Sequence, residues 1–298
     1  MRLNSVRLLC LFALFLLLLP GCAVLSREQL KAIDSFGTSC ENFSNYPGAL
    51  FSELAAIRME RGLFFASSIG EPRLRVSELN AIEAGASSDL SLSTKVNLSM
   101  EILAGYQRAL KILAGSARWE DAGREFRSIG RNIDSLVIKY NVLEITEALP
   151  VGIAKAGGRL AGIMIQSFKK RSQAAAVKEF VVAADTLIAA IVSDMSDILS
   201  SPAVSALIEN EDKGLEQDYI SYLMSGKEDD RRYLELRARL NAVKKMRSGT
   251  ISAAKRIAKA HTKIVDGLAK RRNVSELFDE LLDLEKEVLT LRKEIAKI

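Results

Sequence analysis

His261 is the single histidine of the chain, and the cysteines are Cys10, Cys22 and Cys40. These are the residue types from which most protein chemistry is built, so their scarcity narrows the field at once. One histidine and so few thiols give a His/Cys zinc site within one chain no ligand set. A Ser-His-Asp hydrolase would have to use His261, and no G-x-S-x-G turn accompanies it. His261 lies on the apolar face marked by Ile257, Ile264 and Val265, so we expect a satisfied core or boundary residue rather than a catalyst. Ser-x-x-Lys occurs at Ser252/Lys255 and Ser167/Lys170 without S-D-N or K-T-G companions, which makes both matches incidental. There is no phosphate-binding loop of the G-x-x-x-x-G-K or G-x-G-x-x-G type. Carboxylate pairs of the kind glycosidases use are plentiful, but a heptad protein gives no reason to single one out, so we expect a non-catalytic protein with no cofactor and no metal.

Cys22 is the exception, because of what precedes it. Arg2 and Arg7 give a positive start, and Leu8 to Leu19 is a twelve-residue uncharged run. A span needs about 20 apolar residues, so this run fits the core of an export signal instead. It ends in Leu19-Pro20-Gly21-Cys22. The segment resembles the signal and lipobox of bacterial lipoprotein precursors, over about the first 22 residues. That resemblance implies cleavage after Gly21, thioether lipidation of Cys22, and acylation of the new amino terminus. Anchoring by several chains, each buried CH₂ worth ~0.8 kcal/mol, is stable. Ala23 stands where an aspartate would favour retention at an inner membrane, so the resemblance implies an outer-membrane protein facing the periplasm if the source is Gram-negative. With Cys10 in the cleaved segment and Cys22 lipidated, Cys40 has no disulfide partner within the chain. Burial as a small apolar residue is its expected state.

What must hold the rest together is helix packing. Apolar residues make up 48% of the chain and aromatics 6%, a balance that favours aliphatic helices. The seam positions recur in alternating steps of three and four: Val96, Ser99 (the one polar interruption), Leu103, Tyr106, Leu110, Leu113; then Trp119, Ala122, Phe126, Ile129, Ile133, Leu136, Tyr140, Leu143; then Val177 to Ile198; then Leu277 to Ile298. That period belongs to helices crossing at shallow angles. The sequence predicts an all-α, elongated multi-helix bundle with coiled-coil-like heptad packing and seven to nine helices. Breaks are expected near Tyr46-Pro47-Gly48, Gly70-Glu71-Pro72, Gly85 to Ser88, Gly115-Ser116, Leu149-Pro150, Ser201-Pro202 and Gly226. Ser26-x-x-Gln29 reads as a capping box opening a helix at about Arg27, which would seat the body close to the membrane. We divide the chain into a cleaved signal (1–21), a lipidated amino terminus with the first helix (22–46), a helical bundle (47–200) and charged carboxy-terminal helices (201–298).

Two stretches are apolar enough to raise the question of a membrane span. Phe180 to Leu199 holds Asp185, Asp194 and Asp197, and an aspartate near the middle of a span costs ~2.5–3.5 kcal/mol, so a buried bundle helix is expected. Leu149 to Ile165 places Ala154, Gly158 and Gly162 at small-xxx-small spacing but carries Lys155 and Arg159. Close packing inside the bundle is the first reading and contact with a membrane the second.

Charge comes in blocks. Arg237 to Arg272 holds twelve Lys or Arg and one acid, Asp266, while Glu209–Asp230 and Glu276–Glu287 are strongly acidic. Mutual neutralisation between antiparallel sequence neighbours is the first reading, since short connections make such helices spatial neighbours. A surface for anionic headgroups or an acidic envelope polymer is the second. The net charge of +5 falls by two without Arg2 and Arg7, too weak a balance for a nucleic-acid binder. The terminal heptads fit internal docking first and a parallel homodimer through 277–298 second.

Together these readings lead to a membrane-anchored envelope lipoprotein, a helical scaffold or adaptor for an unidentified envelope protein. The alternative is a membrane-active bundle inserting 149–165, like tall helical pore formers in architecture only.

Overall fold

The computed structural model describes residues 25–115, 119–142, 173–270 and 275–296, and within them every regular element is an α-helix. In chain order these are α1 (Arg27–Phe43), α2 (Pro47–Ser68), α3 (Pro72–Ala114), α4 (Trp119–Val142), α5 (Gln173–Ser200), α6 (Pro202–Met224), α7 (Asp230–Lys270) and α8 (Ser275–Ile295).

The helices start where the sequence supplies caps. Ser26 Oγ accepts from the Gln29 amide at 3.1 Å, and the Gln29 side chain accepts from the Ser26 amide at 2.9 Å, a complete capping box. The Glu71 carboxylate accepts from the amides of Arg73 and Leu74 ahead of Pro72. Ser201 Oγ accepts from the Val204 amide at 3.2 Å, with Pro202 in the first turn, where a missing N–H costs nothing. Gly226 takes φ +77 between α6 and α7, a conformation that glycine adopts without a Cβ penalty.

Cross-helix pairs fix the order of the rods. Gly62 faces Ile82 and Gly48 faces Asn97, so α2 and α3 run antiparallel. Glu60 meets Arg232, and Glu53 meets Arg239, so α2 and α7 are antiparallel too. Arg58 and Arg61 reach Glu211, and Phe64 reaches Tyr219 and Tyr222, which makes α2 and α6 parallel. Asp185 at His261 and Leu199 at Arg247 place α5 antiparallel to α7. A single buried cluster draws from every helix, including Ile33, Leu50, Leu103, Ile133, Ile188, Ile208, Leu240 and Leu284.

The seams follow the expected heptads. Val96, Leu103, Tyr106, Leu110 and Leu113 are buried on α3, and Val177, Val181, Ala184, Ile188 and Ile191 on α5. One expected break is absent. α3 continues from Pro72 through Gly85 to Ala114. There the glycine serves close packing: the Arg58 side chain lies across it, donating from Nη1 to the Gly85 carbonyl at 3.0 Å, and a Cβ at Gly85 would meet Arg58 Cδ at 3.2 Å. The expected break at Leu149-Pro150 lies outside the described residues.

The bundle has two distinct ends. Along α7, Arg232 and Arg239 sit beside Glu60 and Glu53, and His261 beside Phe36. The chain from α1 into α2 therefore runs back along α7. The start of α1 lies at the far end of α7 from the α2–α3 and α6–α7 turns. At ~1.5 Å per residue, the 41 residues of α7 separate these ends by about 60 Å.

Candidate functional site

His261 is fully buried on α7 and makes two side-chain hydrogen bonds. Nδ1 lies 2.9 Å from Asp185 Oδ1 on α5, and Nε2 lies 2.8 Å from the Tyr106 hydroxyl on α3. An ionised carboxylate can only accept, so Nδ1 carries the proton. In the neutral imidazole Nε2 then accepts from the Tyr106 hydroxyl. The hydrogen bond from His261 holds the Asp185 carboxyl below its usual value, against the desolvation that raises it. Burial pushes the Tyr106 hydroxyl well up, and the negative charge of Asp185 adds to it. Phe180 stacks on Tyr106 at 5.2 Å between centroids, and Phe36 closes the ring side of His261 at 5.8 Å.

A Tyr-His-Asp chain has the parts of a proton relay, but Tyr106 and His261 are 0% exposed. Only Asp185 reaches solvent, with its side chain 42% exposed. No reacting group has access to the imidazole. The arrangement ties α3, α5 and α7 together, because the imidazole of His261 finds its two partners, Tyr106 and Asp185, on two other rods. The sequence marks His261 as a core residue; it does not reveal Tyr106 and Asp185 as its partners. The signal was available: a histidine in an apolar stripe needs buried partners, and Asp185 interrupts another apolar stripe.

Cys40 is buried, and desolvation raises its thiol well above the ordinary value, so it stays protonated and unreactive. Cys22 lies outside the described residues, as do Ala154, Gly158 and Gly162. Among the described residues, no cluster of His, Cys, Asp and Glu could hold a metal ion, and no helix is long and apolar enough to cross a membrane.

The basic block of α7 is largely paired with the neighbouring acids. Arg239 donates to Glu53 at 2.5 Å and to Glu60 at 2.7 Å, Lys244 to Asp212 at 2.7 Å, and Arg256 to Asp283 at 3.2 Å. Arg247 spans the α5–α6 junction, donating to the Leu199 carbonyl at 2.6 Å and to Ser205 Oγ at 2.7 Å. Neutralisation by a sequence neighbour is thus how α7 meets α8, whereas α6 contributes Asp212 alone and spends Glu211 and Asp218 on Arg58 and Arg61 of α2, whose Glu53 and Glu60 take Arg239 of α7. On α8, Leu281, Leu284, Val288 and Leu291, the side chains a parallel dimer seam would use, are buried within the chain. The side chain of Leu277 and residue Ile298 lie outside the described residues.

The remaining surface feature is the end opposite α1. Around the α2–α3 and α6–α7 turns, Leu63, Leu74, Val76, Leu223, Met224 and Leu234 are all more than 40% exposed, Met224 reaching 85%. Elsewhere among the described residues, exposed large apolar side chains are sparser, the nearest to a second group being Leu282 and Leu289 one heptad apart on α8. Under this collar Phe64, Tyr219, Tyr222 and Tyr233 pack ring against ring, Tyr219 on Tyr233 at 4.6 Å. The carboxylate of Asp230 accepts from the Tyr219 hydroxyl, and Lys227 donates to the Ser67 carbonyl, so the two turns are tied together. This end is a fixed surface able to bury apolar area against another protein.

No family model matches the chain, and neither does any curated protein or solved structure.

Proposed function

We propose that the protein is a lipid-anchored scaffold of a bacterial envelope, held on a membrane through Cys22 and binding another envelope protein at the opposite end of its helical bundle. The observation that carries this reading is the polarity of the molecule. A capped helix begins at Arg27, a few residues after Cys22, and the apolar collar lies at the other end of α7. A lipid at Cys22 would hold the α1 end at the bilayer and present the collar about 60 Å away, the rise of the 41-residue α7. Removing exposed leucines and methionine from water is what chiefly drives protein association, and acidic turns at Glu71 and Glu228–Asp230 disfavour burial of the same end in lipid.

The test places a photo-cross-linking residue at Leu74, Leu223 or Met224, and at Val182 as a control. Val182 is exposed on α5, away from the collar. The reading predicts one discrete protein adduct in the native envelope from the collar positions and none from Val182. Equal labelling from all positions, or lipid adducts alone from the collar, would refute it. The alternative, a membrane-active bundle using 149–165, rests on residues outside those described. Dye release from liposomes by the purified protein, lost on deletion of 149–165, would favour that reading instead.

A further inference from the structure

The charges bordering the apolar collar are not alike in what they leave free. Most of its carboxylates are engaged within the chain. Glu71 accepts from the Arg73 and Leu74 amides at 3.0 and 2.6 Å and caps α3. Asp229 accepts from the Arg232 amide at 3.0 Å and caps α7. Asp230 accepts from the Tyr219 hydroxyl. Glu78 is half-buried, and its charge reaches Asp218 on α6. Glu228 is exposed and has no partner among the described residues.

The arginines of the same end remain available. Arg73 and Arg75 alternate with Leu74 and Val76 at the start of α3, where all of them are exposed. Neither guanidinium meets a carboxylate among the described residues. Arg231 precedes Leu234 by three positions, which sets both on one side of α7. Its side chain is 90% exposed, and Glu235, 3.5 Å away, is shared with Arg232 at 3.1 Å. A carboxylate held by the amides of its own helix start offers little to an outside cation. A free guanidinium presents a planar fork of donors to an outside carboxylate. The collar is thus an apolar surface whose uncommitted border is mainly cationic. Every regular element among the described residues is a helix, so this end offers no strand edge for main-chain pairing, and recognition falls to side chains.

We propose that the collar receives an acidic amphipathic helix of the partner protein, its apolar face laid on Leu74, Leu223, Met224 and Leu234 and its Asp and Glu residues meeting Arg73, Arg75 and Arg231. The apolar contact supplies the attraction, and the guanidinium border selects the sign of the partner and speeds the encounter. This deepens the collar reading above and rests on it.

The test keeps the full chain in its native envelope, with the photo-cross-linking residue at Met224. The adduct is quantified in the parent chain, in Arg73→Glu/Arg75→Glu/Arg231→Glu and in Glu228→Lys, and the cross-linked peptide of the partner is sequenced by mass spectrometry. The triple reversal should lower the adduct about tenfold or more, and Glu228→Lys should raise it. Added salt should lower it in the parent chain. The partner peptide should carry apolar residues at helical spacing with Asp or Glu beside them. The substituted arginines are exposed, so circular dichroism melting should stay unchanged. A parent adduct indifferent to both charge variants, or a partner peptide flanked by Lys and Arg, would overturn the acidic-helix proposal and leave the collar reading standing. No protein adduct from the parent chain, or adducts with lipid alone, would overturn both.

Discussion

At the scale of single residues, the molecule turns on how a few polar groups are satisfied inside an aliphatic core. Tyr106→Phe removes the donor to His261 Nε2 and strands a buried acceptor, and should cost about 1–2 kcal/mol. His261→Ala strands the Tyr106 hydroxyl and opens a cavity, and should cost about 3–4 kcal/mol; both are read by urea unfolding followed by circular dichroism. A loss under about 0.5 kcal/mol for His261→Ala would contradict the bridging role. The pH dependence follows from Asp185. Its folded value lies below its unfolded one, so its contribution is present above the unfolded value and is lost as pH falls through the folded value. Asp185→Asn keeps an acceptor for Nδ1–H and removes the titration, so it should flatten the acid limb of the stability profile below about pH 4. An unchanged limb would show that Asp185 does not set it. The sequence places His261 inside because of its stripe, and Asp185 shows as an interruption of another, but nothing local pairs residues as distant as 106, 185 and 261.

At the scale of elements, capping and periodicity were legible because they are local. Ser26 with Gln29, Ser201 with Pro202, and the heptads of α3 and α5 all act within one or two turns, and the structure follows them. Gly85 was misleading for the same reason. A glycine tells the reader that the backbone is bare, and only the neighbouring rod decides whether the bareness ends a helix or admits a side chain. Here Arg58 fills it. The parallel pair α2 and α6 was also invisible, since its joint is a buried ion network across a gap of 150 residues or more. Glu211, nearly fully buried, accepts from Arg58 Nε and Arg61 Nε, both at 2.8 Å, and Arg61 Nη1 donates to Asp218 at 2.6 Å. Burial raises the Asp218 carboxyl despite the pull of Arg61. Glu211→Ala leaves two guanidinium groups facing a desolvated space, and a loss of about 3–5 kcal/mol is expected in the same unfolding assay. A neutral result would show that α2 and α6 are held by their apolar contacts alone.

For the whole molecule, the charge blocks could be read before any fold was known, since they are a property of composition along the chain. Basic α7 lies between acidic partners, so blocks that would repel or recruit in isolation cancel within the bundle. The collar around Leu74, Leu223 and Met224 could not be read in that way, because it is assembled from four helix ends that meet only when the rods are laid down. Under the proposed function its meaning depends on which end of the bundle would face a bilayer, and that rests on the proposed lipidation of Cys22. Intact-mass spectrometry of the protein extracted from bacterial membranes addresses that point directly. The expected product is a chain beginning at Cys22 and heavier by a diacylglyceryl group and an amide-linked acyl chain, with neither addition in Cys22→Ser. A chain that retains residues 1–21, or one that begins at Cys22 without lipid, would contradict the anchor and the orientation built on it.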